Sequence, residues 1–546
     1  MENTLLNITG SFDMETRNLI SYSLTDIFET DKIRIELLGE IYYKNIKLEL
    51  HEFAGLYKIY GISLIKNITG MFLIIIFDTK TKELKIFQDI TTSYFNLYYT
   101  VYGGVFYYST SLKKVMKLSH VPVTLNNKKI QEFMRNGFIL DSNTLVTEIN
   151  KLEYFSYISV NNTLRICGID YNDSNNFTKE QVLKNWDSML RESILRVYSE
   201  AGEANITLSS GFDSNYILYT LANYTNSSIN AFCIGGEKGI NEIPEVTKIA
   251  KFYGINLLVD TVMSQDLEYF PDIVWRLEGS LFECGVILQY YLGRLLFQKG
   301  NTSILCGESA LEGSLFECGV ILQYYLGRLL FQKGNTSILC GESADEIMTF
   351  KYHSVNYNQF CNDKQKSVYF SYSDYPFYVT NSIVLKKNSL LLHSFGIHPR
   401  YPYKMSEIVE MSKKISDLND KKEFHKKNCE LRFQDSVLDN INSVPGTTHL
   451  FSCLNIQTLV KIILYIFRYN SCMTIFNFRD KELIFFNKIV NGLIQNIEEN
   501  LEDDIERILK YLYICLFNEI FIIKNKVNFF DDVEFNQTLS EFLDKL

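Results

Sequence analysis

The amino-acid sequence predicts an α/β protein with a strand-rich α+β domain first, a doubly wound parallel sheet second and a helical part at the end. Up to about Cys167, β-branched and aromatic runs are separated by turn residues, which indicates short strands. From about residue 178, apolar strands alternate with amphipathic helices, which is the pattern of a parallel sheet. From Ser452 to Leu546 the sequence is aromatic-rich and has helical periodicity.

Length and composition limit the classes of function. A chain of 546 residues is too long for one ordinary domain, and we expect units over 1–170 and 178–455 and a helical extension over 456–546. The net charge of -10 provides no basic surface, so a nucleic-acid partner is not expected. The eleven cysteines are scattered without a Cys-x-x-Cys pair, which predicts neither a disulfide framework nor a zinc site. The longest apolar run, Met71–Phe77, is too short to span a bilayer and the chain starts without a leader, so we expect a cytoplasmic protein with no membrane partner.

Individual elements follow from the same patterns. The predicted strands of the first unit are Lys32–Leu38, Gly70–Asp78, Leu84–Gln88 and Val105–Ser109. A polar linker at Asn172–Thr178 precedes a helix over Lys179–Glu200, and a strand at Ile229–Ile234, a helix at Glu242–Tyr253 and a strand at Ile255–Val259 follow.

The turn Ser209–Ser214, which follows an apolar strand, has the composition of a phosphate-binding loop. Small residues such as Gly211 let backbone N–H groups approach an anion, and the next helix directs its positive end there. Asp213 would hold Mg²⁺, and the hydroxyls of Ser209 and Ser214 would hold phosphate oxygens. Taken alone, the six residues fit an ordinary strand–turn–helix equally well.

The turn resembles the Ser-Gly-Gly-x-Asp-Ser pyrophosphate loop of the asparagine synthetase family, with Ser210 in place of the first Gly. The resemblance implies an ATP-pyrophosphatase (PP-loop) domain that binds ATP and takes the pyrophosphate released when a carboxylate is adenylated. It also implies that the adenine lies against Leu208 and Ile234. The nucleotide site implied in this way consists of Leu208, Ser209, Ser210, Gly211, Asp213, Ser214, Ile234 and Gly341.

The first unit resembles the glutaminase-like α+β sandwich of the same family. The matching segments, in the family's order, are Gly39–Tyr42, Gly70–Phe72 and Ser109–Lys113. Family glutaminases use a Cys directly after the initiator Met, and its freed α-amine acts as the base for its thiol. This chain has Glu2 at that position and its first cysteine is Cys167. We therefore interpret the unit as a retained scaffold that no longer hydrolyses glutamine.

An exact repeat interrupts the second unit, because Leu277–Ala310 and Leu311–Ala344 are the same 34 residues. Each copy is predicted to contain an apolar helix, Val286–Phe297 in the first, and a strand, Ser303–Cys306 in the first. Solenoid repeats diverge and usually come in threes or more, so two perfect copies indicate a recent duplication or an artefact of assembly. The family topology has room for one copy.

Only the second copy is followed by an acidic pair, Asp345-Glu346. The segment Cys340–Glu346 resembles the family's Gly-Glu-Gly-Ala-Asp-Glu, whereas Leu311-Glu312 follows the first copy. The resemblance assigns catalytic roles to Glu342, Asp345 and Glu346, with Glu342 facing the adenylated substrate, and makes Asp213 and Asp345 the ligands of Mg²⁺. A solvated acidic loop is the alternative.

Two segments further along depart from the family. Phe395–Tyr403 resembles its Gly-Ile-Glu-x-Arg-x-Pro-Phe segment, but His398 replaces the Glu, and we expect a structural role for it. Family members carry a Lys that stabilises negative charge in amide formation. The corresponding stretch, Asp439–Phe451, has no lysine, although Lys426 and Lys427 lie upstream.

The function that the resemblance implies is an ATP- and Mg²⁺-dependent ligase that adenylates a carboxylate and transfers it to an amine. A chain that has lost glutaminase chemistry resembles lasso-peptide cyclases and β-lactam synthetases. That resemblance implies a peptide or natural-product substrate and a maturation partner protein. The glutamate at position 342 resembles the residue that asparagine synthetases have there, so an ammonia-using asparagine synthetase is one alternative. A non-catalytic nucleotide- or partner-binding relative is another. The C-terminal stripe through Leu459, Ile463 and Phe467 fits core packing or a partner surface.

Overall fold

The structure is a computed structural model. It describes residues 7–282, with gaps at 45, 90–94, 140, 154–155, 170–177, 202–203, 237–241 and 263, and then residues 337–339, 390, 398–404, 408, 425–441, 456–494 without 474 and 477, 502–523 and 537–543.

The first part of the chain forms two antiparallel sheets. The strands are β1 (Thr9–Asp13), β2 (Asn18–Ser21), β3 (Asp26–Glu29), β4 (Ile33–Tyr43), β5 (Ile46–Lys47), β6 (Ile68–Asp78), β7 (Glu83–Gln88), β8 (Tyr98–Tyr102), β9 (Val105–Ser109), β10 (Asn150–Lys151), β11 (Ser156–Val160) and β12 (Leu164–Gly168). The helices are α1 (Leu50–Tyr60), α2 (Leu112–Ser119) and α3 (Asn127–Asn136). One sheet has the order β10-β8-β9-β1-β2, and the other has the order β12-β11-β7-β6-β4-β3 with β5 paired to β4. The predicted α+β fold of this unit is confirmed, and all four predicted strands are present.

Strand β6 shows how the layers stack. Its odd-numbered residues 73–77 belong to a core shared with the other sheet, in which the rings of Phe12 and Phe77 lie 6.2 Å apart. Its even-numbered residues 72–76 belong to a second core, which contains Phe53 of α1. Because successive strand side chains point to opposite faces, a strand covered on both sides must be apolar throughout. This placement accounts for the apolar run Met71–Phe77.

Two glycines of the family-like segments lie on the paired strands β4 and β6, offset by two positions in register. Gly39 has φ +95° and Gly70 has φ +124°, a region that side chains with a Cβ rarely adopt. A Cβ on Gly39 would lie 2.0 Å from the carbonyl oxygen of Met71, and one on Gly70 would lie 2.2 Å from that of Glu40. The close approach of the two backbones therefore requires glycine at both positions.

The second unit is built on a parallel sheet. Its strands are β13 (Ala204–Thr207), β14 (Ile229–Gly236), β15 (Asn256–Val262), β16 (Ser337–Leu339) and β17 (His398–Arg400), in the order β15-β14-β13-β16-β17. Its helices are α4 (Lys179–Ala201), α5 (Phe212–Tyr224), α6 (Ile243–Tyr253), α7 (Phe270–Leu277) and α8 (Asp435–Leu438), and residues 425–430 are also helical. All its pairings are parallel. The predicted doubly wound sheet is confirmed, and β13 lies at its centre, where the chain changes direction.

The two copies of the 34-residue repeat contribute different parts. Strand β16 comes from the end of the second copy, and Leu339 pairs with Ile206 of β13. The beginning of the first copy, Leu277–Phe282, lies against the first unit and the C-terminal helices. The predicted helix Val286–Phe297 and strand Ser303–Cys306 lie outside the described residues.

Glu278, in the first copy, joins the two units. Its buried carboxylate accepts hydrogen bonds from the Ser111 hydroxyl and the Leu112 N–H at the start of α2, both at 2.6 Å. The Lys113 ammonium lies 3.3 Å from the same carboxylate and 3.9 Å from the ring centre of Trp275. Burial lowers the pKa of Lys113, and the carboxylate opposes that shift. The ion pair is thus enclosed between α2 and α7.

The C-terminal part is helical, as predicted. It contains α9 (Ile456–Met473), α10 (Asp480–Val490), α11 (Glu502–Phe517) with a π-helical turn at Asn518–Ile523, and α12 (Leu539–Leu543). Leu459 and Ile463 are fully buried in the core that the first unit also forms, while Leu464 is 42% exposed. The apolar stripe through Leu459 and Ile463 therefore packs in the core. Within the described residues, no helix is long and apolar enough to cross a membrane.

Candidate functional site

The loop Ser209–Ser214 connects the central strand β13 to helix α5. The Leu208 N–H donates to the Phe232 carbonyl of β14 at 2.8 Å, which extends the sheet up to the loop. The hydroxyls of Ser209 and Ser214 lie 3.0 Å apart, and the Gly211 N–H donates to the Ser209 hydroxyl. The loop is thus held by its own side chains at the carboxyl end of the sheet, where ligands bind in folds of this kind.

A carboxylate already lies on the backbone of this loop. The buried Ser210 donates its N–H to Glu242 Oε2 at 2.8 Å. Glu242 precedes α6 and therefore reaches the loop from the end of the neighbouring strand β14. An anionic oxygen bonded to this N–H stands in for a phosphate oxygen, which is the chemistry predicted for the loop. The loop thus fits the phosphates of a nucleotide.

Asp213 lies in the first turn of α5, where the helix end stabilises a negative charge. It is 6% exposed, and its Oδ1 lies 3.0 Å from Nε2 of the buried His425. The Tyr403 hydroxyl donates to its backbone carbonyl at 3.1 Å. The family-like segment Phe395–Tyr403 therefore contacts the loop through its last residue. The carboxylate of Asp213 is chemically suited to Mg²⁺, which prefers oxygen ligands.

Several predicted site residues cannot be compared with this arrangement. Gly341, Glu342, Asp345 and Glu346 lie outside the described residues, so the pairing of Asp213 with Asp345 stays a prediction. Strand β16 ends at Leu339, just before them, and it is the direct neighbour of β13. Ile234 lies in β14, the strand next to β13, and His398 lies in β17. The adenine contact of Ile234 stays a prediction. Within the described residues, no group of three His, Cys, Asp or Glu side chains is arranged to hold a metal ion.

A positive charge lies beside the loop. The Lys426 ammonium is 5.7 Å from the ring centre of Phe212, the first residue of α5, and 3.9 Å from a Glu430 carboxylate oxygen. The sequence named Lys426 only as one of two upstream lysines. Its position by the loop makes it a candidate for the charge that the family's lysine provides.

Three contacting residues were not identified as site residues from the sequence. Glu242 was predicted only as a helix start, Tyr403 only as part of a resemblance, and His425 not at all. His425 is 212 positions from Asp213 along the chain. A local sequence pattern cannot predict a contact between residues so far apart in the chain.

Profiles of two known protein families match parts of the chain. The glutamine amidotransferase domain profile matches residues 26–167, and the asparagine synthase profile matches residues 185–313. The second match ends inside the repeat, whose copies are identical, so it applies equally to the strand contributed by the second copy.

Among curated proteins, the chain is similar to asparagine synthetase [glutamine-hydrolyzing] 1 of Bacillus subtilis (strain 168), with 22% identity over 292 residues. This match covers 52% of the chain and 45% of the relative, so the chain spans just under half of that protein's length.

Two solved structures share 9% identity with the chain. One is the allosteric regulatory enzyme of purine biosynthesis, with a TM-score of 0.20 over 44% of this chain and 63% of that one. The other is glutamine phosphoribosylpyrophosphate amidotransferase from B. subtilis with ADP and GMP, with a TM-score of 0.18 over 58% and 63%. Scores this low carry no argument. The two family profiles and the curated relative show that the chain is similar to the asparagine synthetase family in both of its units.

Proposed function

We propose that this protein is an ATP-dependent ligase that activates a carboxylate by adenylation and joins it to an amine. The observation that carries the proposal is the loop Ser209–Ser214, whose Ser210 N–H already binds a carboxylate oxygen and whose Asp213 is buried beside it. In the reaction, a substrate carboxylate oxygen attacks the α-phosphorus of ATP and pyrophosphate leaves. The amine then attacks the acyl carbon and AMP departs.

Each part of the loop has a role in this reaction. The N–H groups and the hydroxyls of Ser209 and Ser214 would hold the pyrophosphate, with Glu242 displaced from Ser210. Asp213 would hold Mg²⁺, together with Asp345 by resemblance. Bound Mg²⁺ supplies charge neutralisation for the phosphates. Lys426 would stabilise the negative charge that develops as the amide bond forms.

We further propose that the amine does not come from glutamine. Residues 1–166, which include nearly all of the part that the glutamine amidotransferase profile matches, contain no cysteine to act as a nucleophile. The substrate is then a peptide or small molecule with its own amine, as in lasso-peptide maturation, and the site of action is the cytoplasm. Release of glutamate from glutamine by the purified protein would contradict this.

Two other functions are alternatives to a ligase that acts on a peptide. One is an asparagine synthetase that uses ammonia. The curated relative supports asparagine synthesis although it is itself glutamine-hydrolyzing, and this enzyme would form asparagine, AMP and pyrophosphate from aspartate, ammonia and ATP. A non-catalytic relative is supported by the lysine missing from Asp439–Phe451, and it would bind nucleotide without forming pyrophosphate with either substrate class.

The central test is the affinity for MgATP, which needs no knowledge of the substrate. We expect Asp213→Asn to weaken binding about 100-fold in isothermal titration, because a metal contact is worth several kcal/mol. Asp480→Asn is the matched control, since Asp480 is an exposed acid in the first turn of α10. Equal affinity of the wild type and the Asp213 variant, both folded by circular dichroism, would refute the proposed nucleotide site.

A further inference from the structure

The carboxylate of Asp213 is held by a histidine for which no role has been assigned. His425 Nε2 lies 3.0 Å from Asp213 Oδ1, and both side chains are buried. Among the described residues, His425 is the only side chain within hydrogen-bonding distance of this carboxylate. The contact engages one of the two carboxylate oxygens, Oδ1.

The proton of the imidazole is located by a tryptophan on another helix. Trp186 of α4 lies with its Nε1 3.3 Å from His425 Nδ1. An indole N–H can only donate, so Nδ1 must be the acceptor and the ring hydrogen must sit on Nε2. The ring therefore donates its Nε2–H to Asp213 Oδ1.

Aromatic rings fix the orientation of this imidazole. The rings of Tyr216 and Tyr403 both have their centres 5.9 Å from that of His425, and the Trp186 ring lies at 6.2 Å. Cys429 Sγ lies 3.7 Å from Nε2, and burial raises the pKa of Cys429, which keeps it a neutral thiol. The ring thus faces the Asp213 carboxyl group with Nε2.

We propose that His425 is a positioning residue for Asp213, and that Trp186 sets its tautomer. This inference rests on the proposed function, in which Asp213 holds the metal of MgATP. A hydrogen bond to one carboxylate oxygen fixes the rotation of the group and directs the other oxygen at the ion. Groups that orient a metal ligand in this way are commonly worth 10–100-fold in metal affinity.

The test compares two substitutions of the histidine. His425→Leu removes the donor, and we expect MgATP and MnATP to bind 10–100-fold more weakly in isothermal titration. His425→Gln keeps an amide N–H near the position of Nε2, and we expect it to restore most of that affinity. Thermal unfolding is measured in parallel, because a purely structural role would lower the midpoint without this rescue. If Gln lost as much affinity as Leu at an unchanged midpoint, the hydrogen bond to Oδ1 would not be the cause and the inference would fail.

Trp186→Phe provides a second route, which stays informative if the Leu variant does not fold. Without the indole N–H, the imidazole is free to move its hydrogen to Nδ1, and we expect a loss of about 3–10-fold in affinity, smaller than that of His425→Leu. In the His425→Gln background the same substitution should change affinity less than in the wild type, because the two residues act in series. Equal losses in both backgrounds would refute the role of Trp186.

The Asp213→Asn variant distinguishes failure of the proposed nucleotide site from failure of the proposed role of His425. If it binds MgATP like the wild type, the proposed nucleotide site itself is wrong. If it loses affinity while His425→Leu and Trp186→Phe do not, the nucleotide site stands and only the positioning inference is refuted.

Discussion

Glu278 has a backbone conformation and a set of partners that few residues could share. Its φ of +52° lies in the left-handed region, where it ends α7. Its carboxylate accepts from the start of α2 and pairs with the buried Lys113. Removing this carboxylate leaves the Ser111 hydroxyl and the Leu112 N–H without this acceptor. It also removes the counter-charge of Lys113, whose ammonium still donates to the Trp275 carbonyl. The loss of one partner of a buried pair typically costs 3–5 kcal/mol.

We therefore predict that Glu278→Ala lowers the free energy of unfolding by about 3–5 kcal/mol, measured by urea denaturation. Glu312 is the matched control, because it occupies the same position in the second, identical copy of the repeat. Glu312→Ala should change stability by less than about 0.5 kcal/mol. A larger effect of the Glu312 variant would mean that the second copy, not the first, lies against α2.

At the level of single residues, the sequence predicted those site residues that belong to a local motif. Asp213 and its serines were identified because a strand, a small-residue turn and a helix follow one another directly. Glu242 and His425 were not, because each reaches the loop from a different part of the chain and nothing in its own surroundings marks it. Contacts of this kind depend on how the elements pack, which the residue pattern does not encode.

At the level of the elements, strand β16 is formed by residues of the second copy of the repeat. It has three residues and lies between β13 and β17. A strand inside a sheet cannot accept proline without losing a backbone donor and colliding with its neighbour.

We predict that Leu339→Pro destabilises the second unit by roughly 3 kcal/mol or abolishes its folding. The equivalent residue in the first copy is Leu305, and Leu305→Pro should leave the thermal unfolding midpoint almost unchanged. Limited proteolysis followed by mass spectrometry would identify which unit opens. If the two variants behaved alike, either copy could supply the strand.

The ends of several elements agree with the prediction. The helix expected over Lys179–Glu200 is observed over Lys179–Ala201, and Val105–Ser109 was predicted with its exact ends. Strand β4 extends to Tyr43, beyond the predicted Leu38, because Gly39 allows it to continue beside β6. Short strands such as β5 and β10 carry too few residues for a period to be recognised, and their pairing partners define them.

At the scale of the whole molecule, the C-terminal helices complete the core of the first unit. The Tyr513 ring of α11 stacks on Phe133 of α3 at 5.3 Å, and its hydroxyl accepts from the Gly279 N–H at 3.1 Å. Phe521 lies 5.7 Å from Trp275 of α7. The start of the repeat is therefore enclosed between the first unit and the chain's last helices.

We predict that deleting 34 residues, as Leu277–Ala310 or equally Leu311–Ala344, gives a more soluble protein that is at least as heat-stable and as active as the full chain. The product keeps one copy whose start can contact α2 and whose end can form β16. A shorter connection changes closure entropy little, since that cost grows only logarithmically with length. The measurements are the unfolding midpoint and the fraction remaining in solution after heating. A deletion variant that does not fold, beside a well-behaved full-length monomer, would mean that both copies are structural.

The division of labour between the copies also has a genetic consequence. The described structure uses the opening of the first copy and the closing strand of the second, so selection acts on opposite ends of two identical stretches of coding sequence. We expect substitutions to accumulate first in the closing part of the first copy and the opening part of the second. The two stretches would then drift apart, and the point at which tolerance switches sides would record where one ancestral unit became two.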